Sequence, residues 1–123
     1  MILTFTIPLI PVSKKNSQRI IYAKGRPMII PSAKYSEYEK ECAWFMPKLD
    51  NPIERPVNVK CLFYMPTRRR VDLVNLEEAI CDILVKYGVL EDDNYNIVAS
   101  MDGSRVLYDK ENPRTEVTIS EST

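Results

Sequence analysis

The chain has 123 residues, 45% of them hydrophobic, with 17 Lys/Arg against 17 Asp/Glu and no histidine. A single domain spanning 1–123 is the expectation, large enough to bury a core yet small enough to gain from a dimer interface. Without histidine there is no His-based triad, no imidazole general base and no His-ligated zinc, so any hydrolysis must activate water through a metal, a carboxylate or a lysine.

Leu3, Phe5 and Ile7 alternate with Thr4 and Thr6 and predict a first strand, ended by Pro8 and Pro11. Ser13–Ser17 reads as a polar loop. Gln18–Tyr22 and Pro27–Ile30 predict two short strands around Lys24-Gly25. A helix is expected from a Ser32 cap to about Met46, with Tyr35, Tyr38, Cys42 and Phe45 on one face and Pro47 as its stop. That spacing assigns the aromatics to a core rather than to a base-stacking platform. Val57, Val59, Cys61, Phe63 and Met65 form the clearest strand of the chain, and Pro66 delivers it to Arg68, Arg69 and Arg70. A second helix is expected over Leu73–Tyr87, between an Asp72 cap and Gly88. Its buried stripe is Leu76, Ile80, Ile83, Leu84 and Tyr87; Asn75, Glu78, Asp82 and Lys86 lie opposite. Ile97–Tyr108 reads as one strand, or two broken near Asp102-Gly103, and Thr115–Ile119 as the last. The order β-β-β-α-β-α-β-β predicts a mixed α/β or α+β fold, one mixed sheet packed by two helices.

Charge is unevenly spread. Residues 1–70 hold 13 Lys/Arg against 5 Asp/Glu, and residues 71–102 hold 8 Asp/Glu against Lys86 alone. A basic surface with an acidic pocket is one reading, intermixed surface charge the other. Cys42, Cys61 and Cys81, odd in number and without C-x-x-C spacing, suit reduced buried thiols in the cytoplasm. No apolar run approaches a membrane span, and the N-terminus does not read as a signal peptide.

The acidic block follows the three arginines directly. Carboxylates suit magnesium, and arginine matches phosphate with paired hydrogen bonds. Asp72, Glu78, Asp82 and the Glu91-Asp92-Asp93 cluster are therefore candidates for a site that holds a divalent cation and a phosphodiester together. Each has a plainer reading. Asp72 suits an N-cap, Asp82 an i,i+4 partner of Lys86, Glu91–Asp93 a solvated turn, Asp102 a turn before glycine, and Arg68–Arg70 a charged strand end. A helix of about 15 residues is roughly 22 Å long, so Asp72 and Asp93 meet only if the loop folds back or a second subunit contributes.

Arg-Arg-x-Asp-Leu-x-Asn-Leu, a helix carrying an Asp, then Gly-Val-x-x-Asp-Asp resembles the RusA-type Holliday-junction resolvases, and Pro11-Val-Ser-Lys-Lys-Asn-Ser17 is similar to that family's segment after the first strand. The resemblance implies a small homodimeric nuclease of mixed α/β fold that uses Mg2+, with Mn2+ as a substitute, and nicks four-way DNA junctions symmetrically. It implies that Asp72 and Asp93 are catalytic and metal-binding, with Asn75 and Asp82 in support. Two residues depart from the pattern: Val74 stands where the family has an aspartate, and Glu78 where it has a lysine. Glu78 is one turn from Asn75, and is expected to supply the lost oxygen as a catalytic residue, with Asp92 and Asp102 as further metal ligands. Lys14 or Lys15 would replace the missing cation. Lys14, Lys15, Asn16 and Arg68–Arg70 are the expected DNA contacts. A catalytically impaired junction binder and a non-enzymatic protein-interaction dimer are the competing readings.

Overall fold

The computed structural model describes residues 2–14, 18–31 and 33–122. The elements are β1 (Leu3–Ile7), β2 (Gln18–Ala23), β3 (Arg26–Pro31), α1 (Ala33–Cys42), a 3-10 turn (Ala43–Phe45), β4 (Val57–Met65), α2 (Leu73–Lys86), β5 (Val98–Ser100), β6 (Arg105–Tyr108) and β7 (Arg114–Glu121). This is the expected mixed α+β architecture, with two helices packed on a mixed sheet. The first helix ends earlier than its pattern suggests. A 3-10 turn advances each side chain by a different angle, so Met46 enters the core and Phe45 faces outward. The expected Ser32 cap lies outside the described residues.

β4 is the centre of the sheet. It pairs antiparallel with β7, which pairs antiparallel with β1, and on its other side it runs parallel to both β5 and β6. Its alternation is the physical basis for this. Val57, Val59, Cys61 and Phe63 point into the core, where they meet Thr115, Val117 and Ile119 of β7. Ile80, Ile83 and Leu84 of α2 and Tyr35, Tyr38 and Cys42 of α1 complete the same cluster. The helices cover one face of the sheet, the usual two-layer solution for an element apolar on one side.

The segment before β7 takes the broken form, with β5 along the start of β4 and β6 along its end. Between them two polar side chains take over from the ladder. Asn58 Nδ2 donates to the Asp102 carbonyl at 3.1 Å and its Oδ1 accepts from the Asp102 amide at 2.8 Å. The Ser104 hydroxyl accepts from the Cys61 amide at 3.0 Å. The outer hairpin differs from the single sheet expected. β2 and β3 pair only with each other, through a two-residue turn at Lys24 (φ 53°) and Gly25 (φ 74°), both in the left-handed region that such tight hairpins use.

α2 stops in a Schellman arrangement. The Gly88 amide bonds the Val85 carbonyl at 3.2 Å and the Val89 amide bonds the Leu84 carbonyl at 2.9 Å. Gly88 has φ 76°, and Leu84 and Val89 are both fully buried beside it. Tyr87 is the cap rather than a helical residue, and its hydroxyl donates to the Glu39 carbonyl at 2.8 Å. Gly88→Ala should lower unfolding stability by about 1–2 kcal/mol through left-handed backbone strain, measured by urea denaturation.

Candidate active site

The site is built from the polar face of α2 and the two loops that flank it. Asp72 precedes the helix in an extended conformation but makes no side-chain cap. Its Oδ2 instead accepts a hydrogen bond from Asn75 Nδ2 at 3.1 Å, so the plain N-cap reading is set aside. Further along the same face, Asp82 does not pair with Lys86. Lys14 Nζ, from the loop after β1, reaches Asp82 Oδ2 at 3.0 Å and lies 5.7 Å from the centre of the Tyr35 ring. Lys86 is held by Glu39. Glu39 on α1 and Lys14 after β1 both approach α2 from neighbouring elements and take up the two charges of the helix.

After Gly88 the chain turns back along α2. The Ile53 amide bonds the Val89 carbonyl at 2.9 Å and the Glu91 amide bonds the Ile53 carbonyl at 3.0 Å, which aims the next residues at the helix. Asp92 and Asp93 then enter opposite environments. Asp92 Oδ1 accepts from the Asp93 amide at 2.7 Å and Oδ2 from Asn94 Nδ2 at 2.9 Å, and these bonds hold its carboxyl below the usual range. The Asp93 carboxyl is pushed up, first by desolvation, then by its hydrogen bond with Asp92 and by the negative charges of Asp82 and Asp92. Burial raises the Cys81 thiol to about 12, and Asp93 and Asp82 add to that rise. The loop therefore brings Asp93 within electrostatic reach of Asp82.

The other candidates lie around this pair. Glu78 shares the helix face between Asp72 and Asp82. Asp102 is fixed by its backbone to Asn58, and neither it nor Asp72 is among the carboxylates that shift Asp93. Among the described residues no group of three or more His, Cys, Asp or Glu side chains is placed to hold a metal ion. The donor set is nonetheless of the right chemistry. Magnesium binds hard oxygens and commonly takes one or two carboxylates, with water and phosphate filling the rest of its shell. Val74 is 68% exposed and gives this face no oxygen at its position.

Arg68, Arg69 and Arg70 are all exposed in the link from β4 to α2, and enter no ion pair among the described residues. The Arg68 guanidinium lies 4.2 Å from the centre of the Tyr108 ring, a contact between the link after β4 and the end of β6 that no local pattern announced. Lys15 and Asn16 lie outside the described residues. A cleft of about 870 Å³ opens elsewhere, between α1 and the β6–β7 turn, and no residue of α2 lines it.

The family model for the endodeoxyribonuclease RusA matches residues 8–120 of this chain. The chain belongs to that family. No curated protein matches it. The RusA assignment spans both the Lys14 loop and the α2–Asp93 region, so the groups brought together above all lie within the matched domain. No helix among the described residues is long and apolar enough to cross a membrane.

A raised carboxyl has a definite stability consequence. Folding binds Asp93 its proton more tightly than the unfolded chain does, so its contribution is favourable at low pH and is lost as pH rises through the raised value. Asp93→Asn should therefore raise the melting temperature at pH 7 in metal-free buffer, and the gain should shrink as pH falls through the carboxylate range. An unchanged difference from pH 3 to pH 7 would show that Asp93 is not under charge stress.

Proposed function

We propose that this RusA-family chain is a divalent-metal-dependent endonuclease of the cytoplasm that acts as a homodimer on four-way DNA junctions and introduces paired nicks. The observation that carries the reading is the Asp93 carboxyl, pushed up by desolvation and opposed by Asp82 of α2, a helix whose other end adjoins three exposed arginines with no ion-pair partner among the described residues. Cation and phosphate are the two components such a surface would attract. A two-fold dimer matches the symmetry of a junction cut on two strands.

In this reading Asp72 and Asp93 hold Mg2+, or Mn2+, with Asp92 and Asp102 as outer oxygens and Asn75 orienting Asp72. When bound, the ion polarises a phosphate oxygen and lowers the pKa of attacking water. The chain's own groups do the rest. The Asp93 carboxyl, pushed up by desolvation and by the charges of Asp82 and Asp92, is the carboxylate whose ionisation a bound cation would favour. Glu78, one turn from Asn75, is the second acidic group, supplying the oxygen that Val74 lacks. Lys14, held on Asp82, supports the reading that a cation from the β1 loop replaces the family's helix lysine. Arg68–Arg70, Lys14, Lys15 and Asn16 grip phosphates on either side. A junction binder without cleavage is the second reading, favoured by the exposed, oxygen-free Val74.

The test is a nicking assay on a synthetic four-way junction and a matched linear duplex in magnesium, manganese or EDTA. Metal-dependent paired nicks confined to the junction are expected. Asp72→Asn should reduce cleavage at least ~100-fold while junction affinity changes by less than about threefold, since electrostatic grip and chemistry use different residues. Binding without nicks in every metal would leave the silent binder. Replacing Arg68–Arg70 by Ala should weaken junction binding and flatten its salt dependence by roughly 0.9 log units for each phosphate no longer neutralised, read from binding isotherms at several salt concentrations.

A further inference from the structure

The β2–β3 hairpin is not accounted for by the site. Its strands pair only with each other, and apolar side chains stand exposed on both of its faces. Ile20 (65% exposed) and Tyr22 (77%) share one face, and Met28 (46%) lies on the other. A lone two-stranded hairpin is marginal in water, and apolar groups on both sides call for a covering surface. Lys24 and Arg26 at the tip are exposed and enter no ion pair among the described residues.

The cleft beside α1 has the complementary character. Its floor is apolar, from Leu9, Ile10 and Pro113. Asp109 and Arg114 line it but satisfy each other at 2.8 Å, and Arg114 also binds Glu116 at 2.7 Å. That leaves Glu37, Glu41 and Glu111 against Lys34, an excess of two negative charges, opposite in sign to the two positive charges of the tip. A cleft of this sign repels phosphate, so DNA is a poor occupant.

We propose that the hairpin is a dimerisation arm whose basic tip docks in the acidic cleft of a second copy of this chain, each copy doing the same to the other. The proposal deepens the homodimer reading given above and rests on it. The geometry favours exchange over self-docking. β3 runs from the tip to Pro31, α1 starts two residues later, and Lys34 on α1 already lines the cleft. The arm is thus rooted beside its own cleft, with its tip roughly 17 Å away. No described hairpin residue lines that cleft. Two arms lying antiparallel about a two-fold axis carry each tip to the other's cleft and close the contact without leaving a free end. The same arrangement brings the Ile20 and Tyr22 faces of the two arms together.

Self-association is measured by sedimentation equilibrium without DNA or metal, with circular dichroism to verify that each variant is folded. The wild type is expected to dimerise. Lys24→Glu with Arg26→Glu should weaken the dimer at least tenfold, Glu37→Lys with Glu41→Lys should do the same, and all four changes together should restore most of the affinity. A dimer that ignores the arm variants while their junction affinity falls would overturn the proposal and make the hairpin a DNA contact. A monomeric wild type, or four changes whose effects only add, would also overturn it. The nuclease reading fails separately: a chain that dimerises through the swap but never nicks DNA keeps the arm and loses the enzyme.

Discussion

The reversal after α2 is the constraint on which the site depends. Leu84 presents one buried carbonyl to both the Val89 and the Leu90 amides, at 2.9 and 3.2 Å, and Gly88 alone can take the backbone turn between them without strain. Were the helix to continue, Asp93 would stand roughly 16 Å beyond Asp82 along the axis. The turn and the Ile53 bridge instead lay Asp93 back against the helix, close enough for Asp82 to oppose its ionisation. They also aim Ile97 at the start of β4, where its carbonyl accepts from the Val57 amide at 2.8 Å. The loop that carries Asp92 and Asp93 and the start of β5 are set by one helix end.

Periodicity made most of the fold legible. β4 and α2 each carry one apolar stripe that only one packing can bury, and β1 and β7 are marked by alternation. What the pattern could not carry was geometry outside regular elements. Phe45 fitted a helical face until the helix tightened into a 3-10 turn. The break between β5 and β6 depended on Asn58, some 44 positions away from the Asp102 backbone it clamps. The site divides the same way. Its residue types and order were readable, and so was the need for a loop that folds back. The partner choices were not: Lys14 to Asp82 spans 68 positions, and a local i,i+4 rule pointed to Lys86 instead.

Two neighbouring aspartates illustrate how one residue type can meet opposite environments. Backbone and amide donors keep Asp92 ionised and spend its oxygens on shaping the loop. Asp93, without that support and facing Asp82, holds its proton more readily. Hydrogen-bond donors on one side and desolvation with like charge on the other thus push two adjacent carboxyls in opposite directions. The Lys14 ammonium sits on the Asp82 side of this arrangement, so the repulsion on Asp93 is what remains after one cation has already been supplied.

The helix dipole runs in the same direction as these charges. Its positive end faces the Arg68–Arg70 link, and its negative end lies toward Asp82 and Asp93. The arginines at the N-terminal end and the carboxylates toward the C-terminal half thereby set fields of opposite sign within about 15 Å of each other. This resolves the apparent conflict between a chain of zero net charge and a polyanionic substrate. Beyond a Debye length of about 8–10 Å, exposed charges are largely screened, so a nucleic acid near the surface responds to the local arrangement and not to the sum. Three arginines at one end of a helix and the Asp82 and Asp93 carboxylates toward the other make neutrality an average over two opposite fields.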